Sequence, residues 1–488
     1  MFRYFLGLSW LCVVASASWA ADRPNILFVV FDDLNTHVSA AGYEHIRTPG
    51  FDAIAADAMT FGRAYCQYPV CGPSRASFLS GLYPESSGVL QQKDDIREKA
   101  PGLVTLPEFL RRSGYWTART GKIYHNEKMN PRETAWDESP ERFDNDTLAV
   151  EQEARAAFVA KFGPPTRKNR DRYKAFVAEY ATQLRGQTTP GYGPTDLDDD
   201  GHKDGKNALQ VDAWLRERAF GDKPFFIACG FQKPHVPFLA PRRYFDANPL
   251  DEMVLARNPS DDWADIPKLA LTRRYVGFGF EAQVENEDLA RDYMQAYHAC
   301  IAFVDAQLDR VMASLKEAGL YDETIVIVTS DHGYHLGEHY MWGKVTLFEE
   351  CARVPMLVRV PGLTSPGSSS DAFVELVDLY PTLATLAGID MLHAGDGESL
   401  VDVLGGSSPA VRDTAYTVVS RGEQLGRSIR TDRFRYSEWG GPEAAELYDL
   451  QADPDAFTNL IDDVGFAAVR EELATTLAEK SGGLSPRP

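Results

Sequence analysis

The stretch Pro24-Asn25-Ile26-Leu27-Phe28-Val29-Val30-Phe31-Asp32-Asp33 sets the architecture. Residues 26–31 are apolar without alternation, so both faces of this segment must be covered. Further short runs rich in β-branched and aromatic residues, at 116–118, 225–229, 325–329 and 356–360, read the same way. Between 285 and 320, Tyr297, Ile301, Val304, Leu308, Val311 and Leu315 recur at helical spacing. Strands alternating with helices over such distances predict an α/β fold, a mainly parallel sheet sandwiched by helices.

Outward from that core, Arg3, the mostly apolar residues 4–14 and Ser18-Trp19-Ala20 read as an export signal over residues 1–20, cleaved after Ala20. The chain is therefore expected in the periplasm or outside the cell. No later segment approaches the roughly 18 apolar residues that a membrane span needs. Residues 21–403 are expected to form one large α/β catalytic domain. Within it, 130–207 is polar and reads as a surface insertion with helices at 150–162 and 172–184. Turn-rich stretches at 362–370 and 404–409 lead into a small C-terminal α+β subdomain, 410–488. There, antiparallel strands are expected at 415–419, 427–430, 434–439 and 447–450, and a helix at 466–480.

The 488 residues are 44% hydrophobic and 25% charged, which excludes disordered and fibrous classes. Fifty Lys+Arg against 71 Asp+Glu leave a net charge of −21, so nucleic acid is not an expected partner. An anionic substrate must be held by local cations against that field.

Ligands of an open parallel sheet bind outside the carboxyl ends of its strands. Asp32-Asp33 follow the first run, and Asp331-His332 follow 325–329 one residue on. Lys122 and His125 follow 116–118, and Lys233 and His235 follow 225–229. Acids and lysines are common in loops, but their coincidence at these strand ends points to one site. Asp32, Asp33 and Asp331 form a hard, oxygen-rich set suited to calcium or magnesium. His332 is a less typical calcium partner and leaves the metal's identity open. Asp32-Asp33 alone reads equally well as a solvated turn.

Other signals are weaker. Asp196-Leu197-Asp198-Asp199-Asp200-Gly201 opens like an EF-hand loop, yet its twelfth position is Asn207 and no entering helix is evident, so calcium is not expected there. Asn145-Asp146-Thr147 is a glycosylation sequon. Trp342 reads as packing before sugar stacking, and Arg427, Arg430, Arg433 and Arg435 as a solvated strand face. Beyond the signal, the cysteines are Cys66, Cys71, Cys229, Cys300 and Cys351, an odd set that leaves at least one outside any intramolecular disulfide. With Cys71 as that one, the other four allow three pairings, while Cys229 and Cys300 also read as small core residues.

Cys71-Gly72-Pro73-Ser74-Arg75 is the functional key. Pro73 suits the first turn of a helix that continues over 74–80. Cys71 then sits at a helix N-terminus, where the dipole favours an anion, with Arg75 one turn in to fork onto an oxyanion. The Cys-x-Pro-Ser-Arg pattern resembles the signature of type I sulfatases, whose cysteine is oxidised to Cα-formylglycine. Pro24 to Asp33, Thr120-Gly121-Lys122, Asp331-His332-Gly333, Lys344 and Glu446-Leu447-Tyr448-Asp449-Leu450 resemble further sulfatase blocks. Gly121 to His125, Lys233 to Phe238 and Asp331 to His339 are similar to the iduronate-2-sulfatase-like branch.

The resemblance implies an alkaline-phosphatase-like fold and hydrolysis of sulfate monoesters on a saccharide, with a sulfated uronic acid as the substrate this branch suggests. It implies maturation by a formylglycine-generating enzyme and one divalent cation, calcium before magnesium, on Asp32, Asp33, Cys71, Asp331 and His332. A hydroxyl of hydrated formylglycine at Cys71 attacks sulfur, with Arg75, Lys122 and Lys344 stabilising the equatorial oxygens. His235 protonates the leaving group, and His125 removes the second hydroxyl's proton to expel sulfate. A phosphate or phosphonate ester hydrolase of the same superfamily, or a non-catalytic sulfated-glycan-binding protein, are the alternatives.

Overall fold

A computed structural model describes residues 23–145, 149–166, 168–169, 172–173, 175–176, 192–271 and 286–486. The signal reading at 1–20, Asp146 and Thr147 of the sequon, and most of the helix expected at 172–184 lie outside the described residues.

The strands of the main sheet are β1 (Asn25–Asp32), β2 (Met59–Tyr65), β3 (Trp116–Gly121), β4 (Phe225–Pro234), β5 (Thr324–Ser330), β6 (Arg353–Arg359) and β7 (Ser368–Glu375). Their order across the sheet is β7-β2-β6-β5-β1-β4-β3. β1 is central and parallel to both neighbours, with Val29 opposite Cys229 on one side and Val328 on the other. Only β6 runs against the rest, antiparallel to both β5 and β2. The sheet is thus mixed and mostly parallel.

β1 shows why the apolar run has no polar alternation. Leu27, Val29 and Phe31 pack into one core with Tyr297, Ile301 and Val304 of the long helix Glu287–Glu317. Ile26, Phe28 and Val30 pack into the other with Phe78 and Leu79 of helix α1 (Cys71–Ser80) and with Leu383. Burying a side chain of this size contributes about 1.5–3 kcal/mol, so a polar residue at any of these positions would be costly.

Two strands escaped the sequence reading. β2 carries Gly62 and Arg63 in its middle, and β7 begins Ser368-Ser369-Ser370-Asp371 at the sheet edge, within the stretch expected to be turns. An edge strand needs no apolar face at its exposed end, so its composition resembles a loop. The insertion expected at 130–207 carries helix Ala149–Phe162 and strand Tyr192–Thr195, but its last residues start helix α2 (Lys203–Glu217), whose Asp204 and Asn207 are buried against the main sheet.

The C-terminal part is an antiparallel sheet of β8 (Ala415–Arg421), β9 (Gln424–Arg430), β10 (Phe434–Trp439) and β11 (Ala445–Asp449), packed by Leu473 and Leu477 of helix Ala467–Gly482. Arg433 is half-exposed and pairs with Asp449 of its own sheet, but the other three arginines are not a solvated face. Arg435 is 2% exposed and, with Arg430, binds Glu349 of the main body, while Arg427 binds Glu85. These ion pairs tie the small sheet to the large one. All five described cysteines are buried and free, so none of the possible pairings is formed. Among the described residues no helix is long and apolar enough to cross a membrane.

Candidate active site

The carboxyl ends of β1, β3, β4 and β5 converge on the N-terminus of α1. The β1–β4 register slips between Val30 and Asp32, bringing Asp32 opposite Pro234 and next to the segment that carries His235. Asp33 then takes φ 68°, a left-handed conformation that an aspartate holds only when its surroundings impose it. Those surroundings are visible. The Tyr297 hydroxyl donates to the Asp33 carbonyl at 2.6 Å and accepts from the Asn35 N–H at 3.0 Å. Asp331 Oδ1 accepts from the Asp33 N–H at 3.2 Å. Tyr297 had read only as part of an apolar stripe; its hydroxyl is the polar tip of a buried aromatic that needed a partner.

Cys71 is fully buried, as first residue of α1. Its Sγ lies 3.4 Å from His332 Nε2, 3.4 Å from Lys344 Nζ and 3.8 Å from Asp33 Oδ1. The Gly72 N–H, one of the helix's unpaired donors, goes to Gln92 Oε1 at 2.6 Å. A Cβ on Gly72 would meet that oxygen at 2.7 Å and the Gln92 backbone at 3.2 Å, so a side chain there would displace the glutamine from this hydrogen bond. Val345 N–H donates to the Pro69 carbonyl at 3.1 Å and seats the Lys344 segment against the chain entering α1.

The acids are matched by cations. Lys122 Nζ spans both oxygens of Asp32 at 2.7 and 2.6 Å, and Lys344 Nζ meets Asp33 Oδ1 at 2.5 Å. Arg75 is bound throughout by protein acceptors. Its Nε donates to Asp331 Oδ2 at 2.7 Å, and its terminal nitrogens donate to the carbonyls of Phe31, Lys122 and Ile123 and to Asp32 Oδ1. A guanidinium has five N–H donors and each has a protein acceptor here, so Arg75 ties Asp331 and Asp32 to the backbone around them.

Burial works against charge on Asp32, yet Lys122, His235, Arg75 and Lys344 hold its carboxyl well below the usual range. Burial pushes Asp331 up to about 7, with Arg75 opposing. Burial and Asp32 oppose ionisation of the Cys71 thiol, but Lys122, Lys344 and His332 prevail and hold it well below its ordinary value. The position of Sγ is therefore one that favours negative charge.

The remaining polar groups fit a divalent cation. One ligand atom each from Asp32, Cys71, Asp331 and His332 lies within 4.8 Å of the others, and the same holds for Asp32, Asp33, Cys71 and His235. Asp33 Oδ2 is buried without a hydrogen-bond partner among the described residues. His332 Nδ1–H donates to the Gly333 carbonyl at 2.8 Å, which aims Nε2 at the acids; burial works against its charge, yet Asp331 holds the imidazole up at about 9, and a bound cation would take the place of the Nε2 proton.

His235 donates Nδ1–H to the Val236 carbonyl at 2.7 Å. Burial pulls its imidazole down, with Asp33 and Asp32 opposing. Asp204, which had read as part of an EF-like loop, accepts from the N–H groups of Gln232 and Lys233 at 2.8 and 2.9 Å and shapes the turn into His235. Its neighbours Asp199 and Asp200 pair with Arg243 and Arg310, so that loop is structural. Lys233 Nζ caps the carbonyls of His235 and Pro237. His125 follows β3; its Nδ1 is buried without a partner among the described residues, and its carbonyl accepts from Arg142 at 3.2 Å. Trp342 is 6% exposed and packs edge-on to Tyr293.

Comparison with known proteins decides the family. The Sulfatase family model matches residues 24–389, and the model for the C-terminal part of N-sulphoglucosamine sulphohydrolase matches 337–482. The chain belongs to the sulfatase family. A sulfatase of Formosa agariphila is 31% identical, covering 97% of this chain and 91% of that protein. Mouse iduronate 2-sulfatase is 26% identical over 90% of this chain and 91% of its own length. Among solved structures, the phosphonate monoester hydrolase of Agrobacterium radiobacter superposes with a TM-score of 0.75 at 25% identity, covering 94% of this chain and 96% of that one. The fold is the one shared across the alkaline phosphatase superfamily, and this sulfatase is a sulfuric ester hydrolase.

Proposed function

We propose that this sulfatase removes O-sulfate from a saccharide and that Cys71 acts as Cα-formylglycine after oxidation by a formylglycine-generating enzyme. The observation that carries the proposal is the surroundings of Cys71 Sγ, where Lys344, His332 and the Asp33 carboxylate meet a buried helix N-terminus. The named relatives favour a sugar substrate, since they include iduronate 2-sulfatase and an N-acetylglucosamine-6-O-sulfatase.

Asp32, Asp33, Asp331 and His332, next to residue 71, would hold calcium, with magnesium as second choice. When bound, that cation supplies Lewis-acid neutralisation of the sulfate charge. The formyl group, once hydrated, supplies two hydroxyls on one carbon, so that one attacks sulfur and the other later gives up its proton. Lys122 and Lys344 offset negative charge on the equatorial oxygens as the S–O bond to the alcohol breaks. His235 gives the departing oxygen its proton; an arriving sulfate favours the imidazolium against the pull of burial. His125 takes the proton of the second hydroxyl, the C–O bond to sulfate breaks, and the aldehyde returns. Arg75 positions Asp331 and Asp32. Export, and a catalytic unit over 21–403 closed by the subdomain 410–488, complete the proposal.

The structural likeness to a phosphonate monoester hydrolase favours a second reading, in which phosphonate or phosphate esters are the better substrates. Release of sulfate from defined sulfated oligosaccharides, measured beside matched phosphate and phosphonate esters, separates the two. Sulfate esters should have the higher kcat/KM. Faster phosphonate turnover would reverse the assignment, and glycan binding without sulfate release would leave a binding protein.

A further inference from the structure

The strand ends that lead to Lys122 and to His235 are joined by the first turn of α2. The β3–β4 ladder stops at Gly121 opposite Gly230, where the backbones touch, since a Cβ on Gly230 would meet the Lys122 carbonyl oxygen at 2.1 Å. Beyond that pair the chains part, β3 toward Lys122 and His125, β4 toward Lys233 and His235. Asp204 and Asn207, both buried and one helical turn apart, bridge this fork. Asn207 Oδ1 accepts from the Thr120 hydroxyl of β3 at 2.8 Å, and its Nδ2 donates to Asp204 Oδ1 at 3.2 Å. Asp204 accepts from two N–H groups of β4, Gln232 on Oδ1 at 2.8 Å and Lys233 on Oδ2 at 2.9 Å.

The same bonds reach His235 itself. The Gln232 carbonyl accepts from the His235 N–H at 2.9 Å, and the Lys233 ammonium donates to the His235 carbonyl at 3.0 Å and to that of Pro237. Asp204 is fully buried, so its carboxylate depends on these donors in place of water. Burial pushes the carboxyl up, and the Gln232 N–H, Lys203 and the Lys233 N–H oppose it. The two ends of the fork are not equally secured. Lys122 is also held by Asp32, which it spans at 2.7 and 2.6 Å, and by Arg75 on its carbonyl. The His235 ring bonds at 2.7 Å to the Val236 carbonyl of its own turn, so it moves with that turn.

We propose that Asp204 and Asn207 are positioning residues for proton delivery to the leaving group: through Thr120 on one side and the Gln232 and Lys233 N–H groups on the other, they set the separation of His235 from Lys122. The reaction uses both ends at once, because Lys122 offsets charge on the sulfate oxygens while His235 protonates the departing oxygen. Proton transfer needs hydrogen-bond reach, and a displacement of about 1 Å can cost on the order of a hundredfold. Loosening the fork therefore impairs the proton donor, while Lys122 stays on Asp32. The inference rests on the role proposed above for His235 and names what holds that histidine in place.

The test measures kcat/KM for 4-nitrophenyl sulfate, phenyl sulfate and defined sulfated oligosaccharides. Asp204→Asn keeps the shape but sets an amide NH2 against one of the two N–H groups. It should slow phenyl sulfate and the sugars by about tenfold or more, and 4-nitrophenyl sulfate, whose leaving group needs no proton, by less than about threefold. Thr120→Val removes the β3 end of the bridge at nearly constant volume and should act in the same direction, whereas Thr120→Ser, which keeps the hydroxyl, should restore the wild-type pattern. On every substrate turned over, Asp204→Asn combined with His235→Ala should be no slower than His235→Ala, because both remove one step. Equal losses on all substrates, or losses that multiply with those of His235→Ala, would reduce Asp204 to a structural residue and overturn the inference. Should Asp204→Asn fail to fold, identical behaviour of Thr120→Val and Thr120→Ser would overturn it as well. If His235→Ala leaves the ratio of phenyl to 4-nitrophenyl sulfate unchanged, the role of His235 falls and this inference with it. Sulfate release from none of the substrates would instead defeat the sulfatase reading itself.

Discussion

Replacing Arg75 with methionine separates two roles that the motif alone cannot distinguish. Methionine keeps much of the side chain's bulk but removes every donor. Asp331 then loses its 2.7 Å partner, and three backbone carbonyls lose theirs. Asp32 is largely spared, because Lys122 still spans both its oxygens. The deficit centres on Asp331, which is fully buried and whose carboxyl burial already pushes up to about 7. Breaking a buried pair from one side costs about 3–5 kcal/mol, so urea unfolding followed by tryptophan fluorescence should show a loss of that size. The exposed Arg111–Asp137 pair, 3.1 Å apart with side chains 30% and 28% exposed, is the control. Arg111→Met should cost less than about 1 kcal/mol. Adding Asp331→Asn to Arg75→Met should recover part of the lost stability, since the uncompensated charge is then gone. The reasoning is refuted if Arg75→Met unfolds at the wild-type urea midpoint yet no longer turns over. That result would return Arg75 to direct contact with substrate.

Active enzyme should carry a peptide around residue 71 lighter by about 18 Da than the cysteine form, the mass difference between thiol and aldehyde; full activity of Cys71→Ser without an aldehyde would contradict it. Chelation should abolish turnover and calcium or magnesium should restore it, checked by elemental analysis, because Asp33 Oδ2 is buried without a hydrogen-bond partner among the described residues and a cation would complete it. His235→Ala should impair alkyl sulfates most and activated aryl sulfates least, whereas His125→Ala should release one burst of alcohol and leave sulfate on residue 71, visible in the peptide mass. At Asp305, which accepts from the Gly50 and Phe51 N–H groups at 3.0 and 2.9 Å, burial raises the folded carboxyl to about 7. The folded state therefore takes up a proton relative to the unfolded chain, and this contribution to stability is lost as pH rises through about 7. Asp305→Asn should flatten that part of the unfolding midpoint measured against pH.

Local pattern carried much of the outcome. A short apolar run such as 26–31, rich in β-branched and aromatic residues and without alternation, reads as a strand covered on both sides, and each such strand marks where the next few residues must emerge. Asp32, Lys122, His235 and Asp331 were therefore placed at one sheet edge by the sequence itself, and Cys71 at a helix start by Pro73. What only the tertiary structure decided was pairing. Arg75 and Asp331 are 256 positions apart, and nothing within the motif says that the guanidinium turns toward that acid. Tyr297 is apolar by spacing and polar by its hydroxyl, and its partner Asp33 lies 264 positions away. Arg435 looked like a surface charge because its acceptor, Glu349, belongs to a short helix of the main body, Glu349–Ala352. The edge strand β7 was missed because its partner β2 supplies the hydrogen bonds that its own composition does not announce. Periodicity reports which face of a segment avoids water; which donor meets which acceptor is settled only when distant segments exclude water between them.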